Sequence, residues 1–132
     1  MSRRSDGSVK VRVRRVYDPP EDGDGTRVLI DRLWPRGVAK EQAEIDRWLK
    51  DVTPSKELRS WYHEDRTGAR YDDFAARYRD ELDDPVHTAA VGELVDLFHE
   101  GGPVTLVTAV KDVPHSHVPV LVDRLEHELR HR

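Results

Sequence analysis

No cysteine occurs among the 132 residues. That absence excludes disulfides, thiolate nucleophiles and cysteine-held zinc, and it fits a reducing cytoplasm. Long apolar runs are missing too. The longest spans a few residues, against the roughly 20 that a membrane-crossing helix needs. The opening MSRRSDGSVK carries no apolar secretory segment and reads as a disordered tail over residues 1–9, so a cytoplasmic protein is expected. The glycines do not form a P-loop or a dinucleotide fingerprint. With a net charge of −4 the chain lacks the overall basic balance of a nucleic-acid binder. Asp18, Asp22 and Asp24 lack the terminal glutamate and regular ladder of a calcium-binding EF-hand.

Charge is abundant instead. Asp, Glu, Lys and Arg make up 36% of the chain, above the roughly 25% of an average domain. The apolar residues cluster periodically, so residues 10–132 are expected to fold as a single domain with a charged surface.

VKVRVRRVY at 9–17 alternates. Val11 and Val13 face a core, and Arg12 and Arg14 face out, which is a strand pattern. DPPEDGDGT at 18–26 is a loop of turn residues, and its acids are expected to be solvated. RVLIDRL at 27–33 contains the apolar run Val28, Leu29 and Ile30, suited to a strand buried on both faces. Trp34-Pro35 ends it, and Gly37 permits a turn.

Helical spacing follows. Ile45, Trp48 and Leu49 predict a helix over 38–51. Thr53 or Ser55 caps the next, with Pro54 in its first turn and Leu58, Trp61 and Tyr62 on one side. Tyr71, Phe74, Tyr78 and Leu82 predict a helix over 70–82, and Ala90 to Phe98 predict another over 86–100, stopped by Gly101-Gly102. PVTLVTAV at 103–110 is a Val/Thr-rich strand, KDVPHSH at 111–117 a polar loop, and 117–130 a closing helix with Pro119 in its first turn. The aromatics Trp34, Trp48, Trp61, Tyr62, Tyr71, Phe74 and Tyr78 are expected to pack between helices and sheet.

The fold class is therefore α/β, with a small, mainly parallel sheet packed with several helices. The strands at 27–33 and 103–110 are joined through helices, so they should run parallel. DRLWPRG and KDVPHSH then leave the sheet at the same carboxyl edge, where open α/β sheets bind ligands.

Arg32 and Arg36 can clamp an oxyanion in fork geometry, Lys111 can neutralise it, and Trp34 sits between them in the same loop. The expected ligand is a small anion, which can be phosphorylated. The competing structural role is loop fixation, with Asp31 pairing an arginine and Asp112 pairing Lys111. Asp112 and His115 are the candidate catalytic pair, with Asp112 orienting the imidazole. A capping role for Asp112 or Ser116 competes with it. Asp112, His115 and His117 are an alternative metal set. Arg59, Arg77 and Arg79 are expected to be solvated or paired with acids such as Glu81, although one of them can reach the pocket. A second function class is a non-catalytic module offering Lys10, Arg12, Arg14 and Arg15 to nucleic acid, or a helix face to a protein. No cofactor or oligomeric state is legible, and binding is not separable from turnover.

Four blocks together resemble a known family: YDPPEDGDGTRVLIDRLWPRG, TPSKELRSWYHED, FAARYRDEL and PVTLVTAVKDVPHSHVPVL. They resemble the YeaO-like family of bacterial proteins, a domain of unknown function, over residues 10–125. The match includes Asp31, Arg32, Trp34, Pro35, Arg36, Gly37, Lys111, Asp112 and His115. The resemblance implies a small, single-domain, cytosolic α/β protein without an established activity, cofactor or substrate. Ser116 and Val118 stand where members often have asparagine and alanine. A more distant branch has a Cys-His pair there, so its thiol chemistry cannot transfer to a chain without cysteine.

Overall fold

Strands β1 (Arg12–Arg15), β2 (Thr26–Leu29), β3 (Arg47–Trp48) and β4 (Val104–Thr108) form one sheet in the order β1-β4-β2-β3. The computed structural model describes residues 11–131. The tail expected over 1–9, and Lys10 of the basic face, lie outside the described residues. All three pairings are parallel, with Val28 opposite Leu106 and Leu29 opposite Val107. The helices are α1 (Lys40–Ala43), α2 (Lys56–His63), α3 (Tyr71–Glu81), α4 (Pro85–His99) and α5 (Val118–Arg130). The expected α/β class is the observed one.

Alternation along the strands gives the sheet two unlike faces. Val11, Val13, Val28, Ile30, Val104 and Leu106 pack on the helical side, where Leu58, Phe74, Tyr78, Leu94 and Leu121 complete the main core. Each fully buried aliphatic side chain there contributes roughly 1.5–3 kcal/mol. The opposite face has a smaller apolar cluster of Val16, Ala43 and Val107, covered by Trp34, Val38 and Ile45.

That second face also holds a charged centre. Asp24, in the loop expected to be solvated, is 1% exposed. It accepts from Arg27 Nη1 at 2.6 Å and from Arg12 Nη2 at 3.0 Å. Burial alone would raise its carboxyl. Hydrogen bonds from the Glu21 backbone and Arg27, with the charges of Arg27 and Arg14, outweigh that and hold it below its ordinary value. Arg12 and Arg14 also face Glu21, at 3.6 and 3.2 Å. Among the described residues, Arg12 and Arg14 of β1 are thus each engaged by acids of the neighbouring loop. Arg15 is likewise turned to the Val110 and Ala109 carbonyls.

The segment 38–51 departs from its expected single helix. Only α1 forms, and Glu44 ends it in the left-handed region at φ 50°. Asp46 then pairs with β2: its amide donates to the Arg27 carbonyl and its Oδ2 accepts from Arg27 N, both at 2.9 Å. These bonds draw Arg47 and Trp48 into the sheet as β3, overriding the helical spacing of Ile45, Trp48 and Leu49. Arg27 meanwhile donates to the Ala43 and Glu44 carbonyls and so caps α1.

The later helices follow the sequence more closely. Ser55 is the cap of α2 and accepts from Leu58 N at 3.2 Å, so Pro54 precedes the cap and is not in the first turn. Glu81 holds Ser55 through its amide and hydroxyl, and is not an arginine partner. Asp84 caps α4 with Pro85 behind it, and Gly101 and Gly102 take positive φ just past the helix end. No described helix is long and apolar enough to cross a membrane.

Candidate functional site

Because β2 and β4 are parallel neighbours, residues 31–35 and 109–117 emerge at one edge. Asp31 ties the two exits together. Its carboxylate accepts from Thr108 Oγ1 and from Ala109 N, both at 2.7 Å. It therefore does not serve as the expected partner of an arginine. Trp48 Nε1 donates to the Asp31 carbonyl at 2.7 Å, and Trp34 Nε1 donates to the Val38 carbonyl at 2.7 Å. The two indoles meet edge to face with centroids 5.5 Å apart. Trp34 thus braces its own loop.

The helical side fixes the second loop. Tyr62 of α2 donates to the His115 carbonyl at 2.8 Å, and Tyr71 of α3 donates to the Ser116 carbonyl at 2.9 Å. Burial, and secondarily the negative charge of Asp112, raises the Tyr62 hydroxyl; burial raises that of Tyr71 as well, so both remain donors. Ser116 caps locally, its Oγ accepting from Val118 N at 3.1 Å and donating to the Val113 carbonyl.

A cleft of about 880 Å³ opens between these loops and α2. Its size falls within the range of small-molecule sites. Four cations line it: Arg32, Arg59, Arg66 and Lys111. Three acids accompany them: Asp31, Asp65 and Asp112. Leu33, Trp34, Pro35, Pro54, Tyr62 and Phe74 give it an apolar wall. Asp65 belongs to the turn behind Arg66. The Thr67 hydroxyl, then the Thr67 and Arg70 amides, bring its carboxyl down to about 2, so it is ionised.

Of the residues read from the sequence, Arg32, Trp34, Lys111, Asp112 and His115 all line this cleft. Arg36 does not; it is exposed in the turn before Gly37. Arg59 takes a place in the cleft from α2. Its only sequence signal is its position one residue after Leu58 and two before Trp61, which turns it away from the core. Arg32 reaches Asp51 at 3.8 Å, a separation that leaves its guanidinium weakly engaged.

His115 Nδ1 lies 2.9 Å from Asp112 Oδ2, so the predicted pair exists. Asp112 consequently pairs with its own histidine and not with Lys111. Both side chains are more than half exposed, at 60% and 66%. His117 is different. It is buried, its Nε2 stands 2.7 Å from the Ile30 carbonyl and 3.6 Å from Asp31 Oδ1. Two acceptors on that side require the ring to donate there. Burial, the largest cause, pushes the imidazole below its ordinary 6.5, Asp31 and the Ile30 carbonyl oppose that, and Arg59 adds to it. The alternative metal set of Asp112, His115 and His117 is not assembled, because His117 is spent inward. Among the described residues no three His, Asp or Glu side chains converge as metal ligands.

Comparisons with known proteins give the chain a family and uncharacterised relatives. The family model DUF488-N3i, described as the "Inactive DUF488-N3 subclade", matches residues 10–132. The uncharacterized protein Rv3073c of Mycobacterium tuberculosis (H37Rv) is 47% identical over 117 residues, covering 89% of this chain and 94% of that protein. The uncharacterized protein Mb3100c of Mycobacterium bovis matches with the same identity and coverage. The uncharacterized protein YeaO of Escherichia coli K12 is 38% identical, covering 89% of this chain and 97% of its own length. No solved structure matches the chain. On the length and closeness of these matches, the chain belongs to the YeaO-like DUF488-N3i family of domains of unknown function.

Proposed function

We propose that this protein binds a small anionic ligand in the cleft at the carboxyl edge of the sheet and holds it without turnover. The observation that carries this reading is the convergence of Arg32, Arg59 and Lys111 in one cleft between the two strand exits. Three cations on separate elements suit an oxyanion with several acceptor oxygens, phosphate above all. The frame around them is already tied by Asp31, Tyr62 and Tyr71, so little ordering accompanies binding.

Three considerations favour binding over chemistry. The chain has no thiol. The Asp112–His115 pair sits solvated at the rim, outside the desolvated setting in which catalytic carboxylates and imidazoles are usually tuned. The family description also reads as an inactive subclade. The nucleic-acid alternative loses its footing, since Arg12, Arg14 and Arg15 are engaged by Asp24, Glu21 and backbone carbonyls.

A melting-temperature screen of phosphate, sulfate, sugar phosphates and nucleotides at fixed ionic strength tests the reading. A ligand of the folded state raises the midpoint, by about 2.7 kcal/mol of stability at a hundredfold excess over Kd. The expected result is a hit among phosphorylated compounds that Arg32→Gln and Lys111→Gln both weaken. A screen without any shift, or a hit indifferent to both variants, overturns it.

A further inference from the structure

Seven arginines are covered in whole or part by the fold: Arg14, Arg15, Arg27, Arg32, Arg59, Arg70 and Arg124. Six of them reach a protein acceptor. Arg14 meets Glu21, Arg15 the Val110 carbonyl, and Arg27 meets Asp24. Arg32 approaches Asp51, Arg70 meets Glu64, and Arg124 meets Asp83. Of these seven, only the Arg59 side chain makes no hydrogen bond or ion pair; Arg14 Nε is sealed without a hydrogen bond as Arg59 Nε is, but the rest of the Arg14 guanidinium meets Glu21. A covered guanidinium donor without an acceptor is costly, and such a group calls for a specific explanation.

The surroundings of Arg59 supply one. It lines the cleft beside Lys111 and Arg32. The nearby acids are spoken for: Asp31 by Thr108 and Ala109, Asp65 by Thr67 and Arg70, Asp112 by His115. The buried ring close enough to feel the Arg59 charge, His117, is itself a donor and cannot accept through the nitrogen it uses. The same cleft carries Leu33, a large apolar side chain left 71% exposed, with Trp34 and Tyr62 beside it.

We infer that Arg59 is the anchoring residue of this cleft, and that its ligand is an oxyanion attached to an apolar body. The inference rests on the anion-binding reading above and adds which residue grips the ligand and what the ligand's other end must be. The oxyanion supplies two oxygens to the two Nη groups of Arg59, which are not sealed as Nε is, in an end-on fork that lysine cannot reproduce. Lys111 and Arg32 add charge without that geometry. The apolar body covers Leu33 and the rings of Trp34 and Tyr62, which explains why an apolar wall adjoins the cations.

The probe is phenyl phosphate, compared with inorganic phosphate at equal ionic strength. Titration calorimetry reads affinity, and the arginine Nε–H resonances read contact in the unmodified protein. Phenyl phosphate is expected to bind about tenfold or more tightly than inorganic phosphate. It should shift the Arg59 Nε–H signal, and Arg59→Lys should weaken it by about tenfold or more while keeping the charge. The resonance shift needs no variant, so loss of folding in Arg59→Lys cannot mask the result. An unmoved Arg59 signal, with phenyl phosphate binding lost in Lys111→Gln, overturns the anchor and leaves the anion cleft standing. Equal affinity for both phosphates overturns the apolar body. Failure of every anion to bind overturns the cleft reading itself.

Discussion

Asp24 and Arg27 meet at 2.6 Å with side chains 1% and 4% exposed, inside a loop and strand start that look like surface in the sequence. Removing one member leaves the other buried and uncompensated. Asp24→Asn should cost about 3–5 kcal/mol in chemical denaturation. Arg27→Met added to it should recover part of that loss, since an apolar pair of similar volume does not strand a charge. A double variant as unstable as the sum of the singles would contradict the coupling. The depressed carboxyl of Asp24 also fixes an acid dependence. Its contribution is complete above the ordinary 3.8 and is lost as pH falls through the folded value below that.

His117 gives the opposite half of the pH profile. Its folded-state value lies below 6.5 because the ring is buried, so the unfolded chain takes up the proton first. Stability owed to neutral His117 is therefore complete above about 6.5 and declines as pH falls beneath it. Urea midpoints between about pH 7.5 and 5 should fall in the wild type. His117→Gln, which retains a donor for the Ile30 carbonyl, should flatten that decline. An unchanged slope would remove His117 as its source.

Gly25 precedes β2 at φ +65°, and a Cβ there would stand 2.1 Å from the Pro103 carbonyl oxygen. That oxygen cannot retreat, because it accepts from Thr26 N at 3.0 Å. Gly25→Ala should cost about 2–4 kcal/mol or abolish folding. Gly37 also has positive φ, but a Cβ there meets nothing within 4 Å. Gly37→Ala should cost about 1 kcal/mol. Equal losses at the two positions in thermal denaturation would argue against the Pro103 clash.

Asp31 joins the strand exits, so its loss should act on the cleft as well as on stability. Asp31→Ala leaves Thr108 Oγ1 and Ala109 N without their acceptor, a cost of about 2–4 kcal/mol. Asp31→Asn keeps one carbonyl oxygen and should cost about half as much. Hydrogen exchange at Ala109 should accelerate in both variants. Protection equal to wild type would show that the loop is held by other contacts.

The strands at 12–15, 26–29 and 104–108 were legible because their alternation or apolar density has one physical explanation. The helices α3, α4 and α5 were legible from 3.6-residue spacing and from Asp84, Pro85 and the two glycines after α4. The segment 38–51 was not. Ile45, Trp48 and Leu49 satisfy a helix as well as a short strand with a turn, and the choice falls to Asp46 bonding Arg27, a partner 19 residues away. The loop acids misled for a similar reason. Asp24 is identical in composition to its solvated neighbours, and only the sheet register brings three arginines to it. The convergence of the two polar loops followed from parallel topology alone. Which arginines enter the cleft did not, because Arg36 and Arg59 differ in direction and not in residue type.

The charged centre behind the sheet also bears on heat. Hydration of ions becomes less favourable on warming, so the desolvation cost of Arg12, Arg14 and Arg27 around Asp24 shrinks as apolar burial levels off. The two faces of one sheet thus respond unequally to temperature. On warming, the arginine-lined face, where Asp24 joins β1 to β2, therefore supplies a growing share of the stability of a domain that melts as one unit.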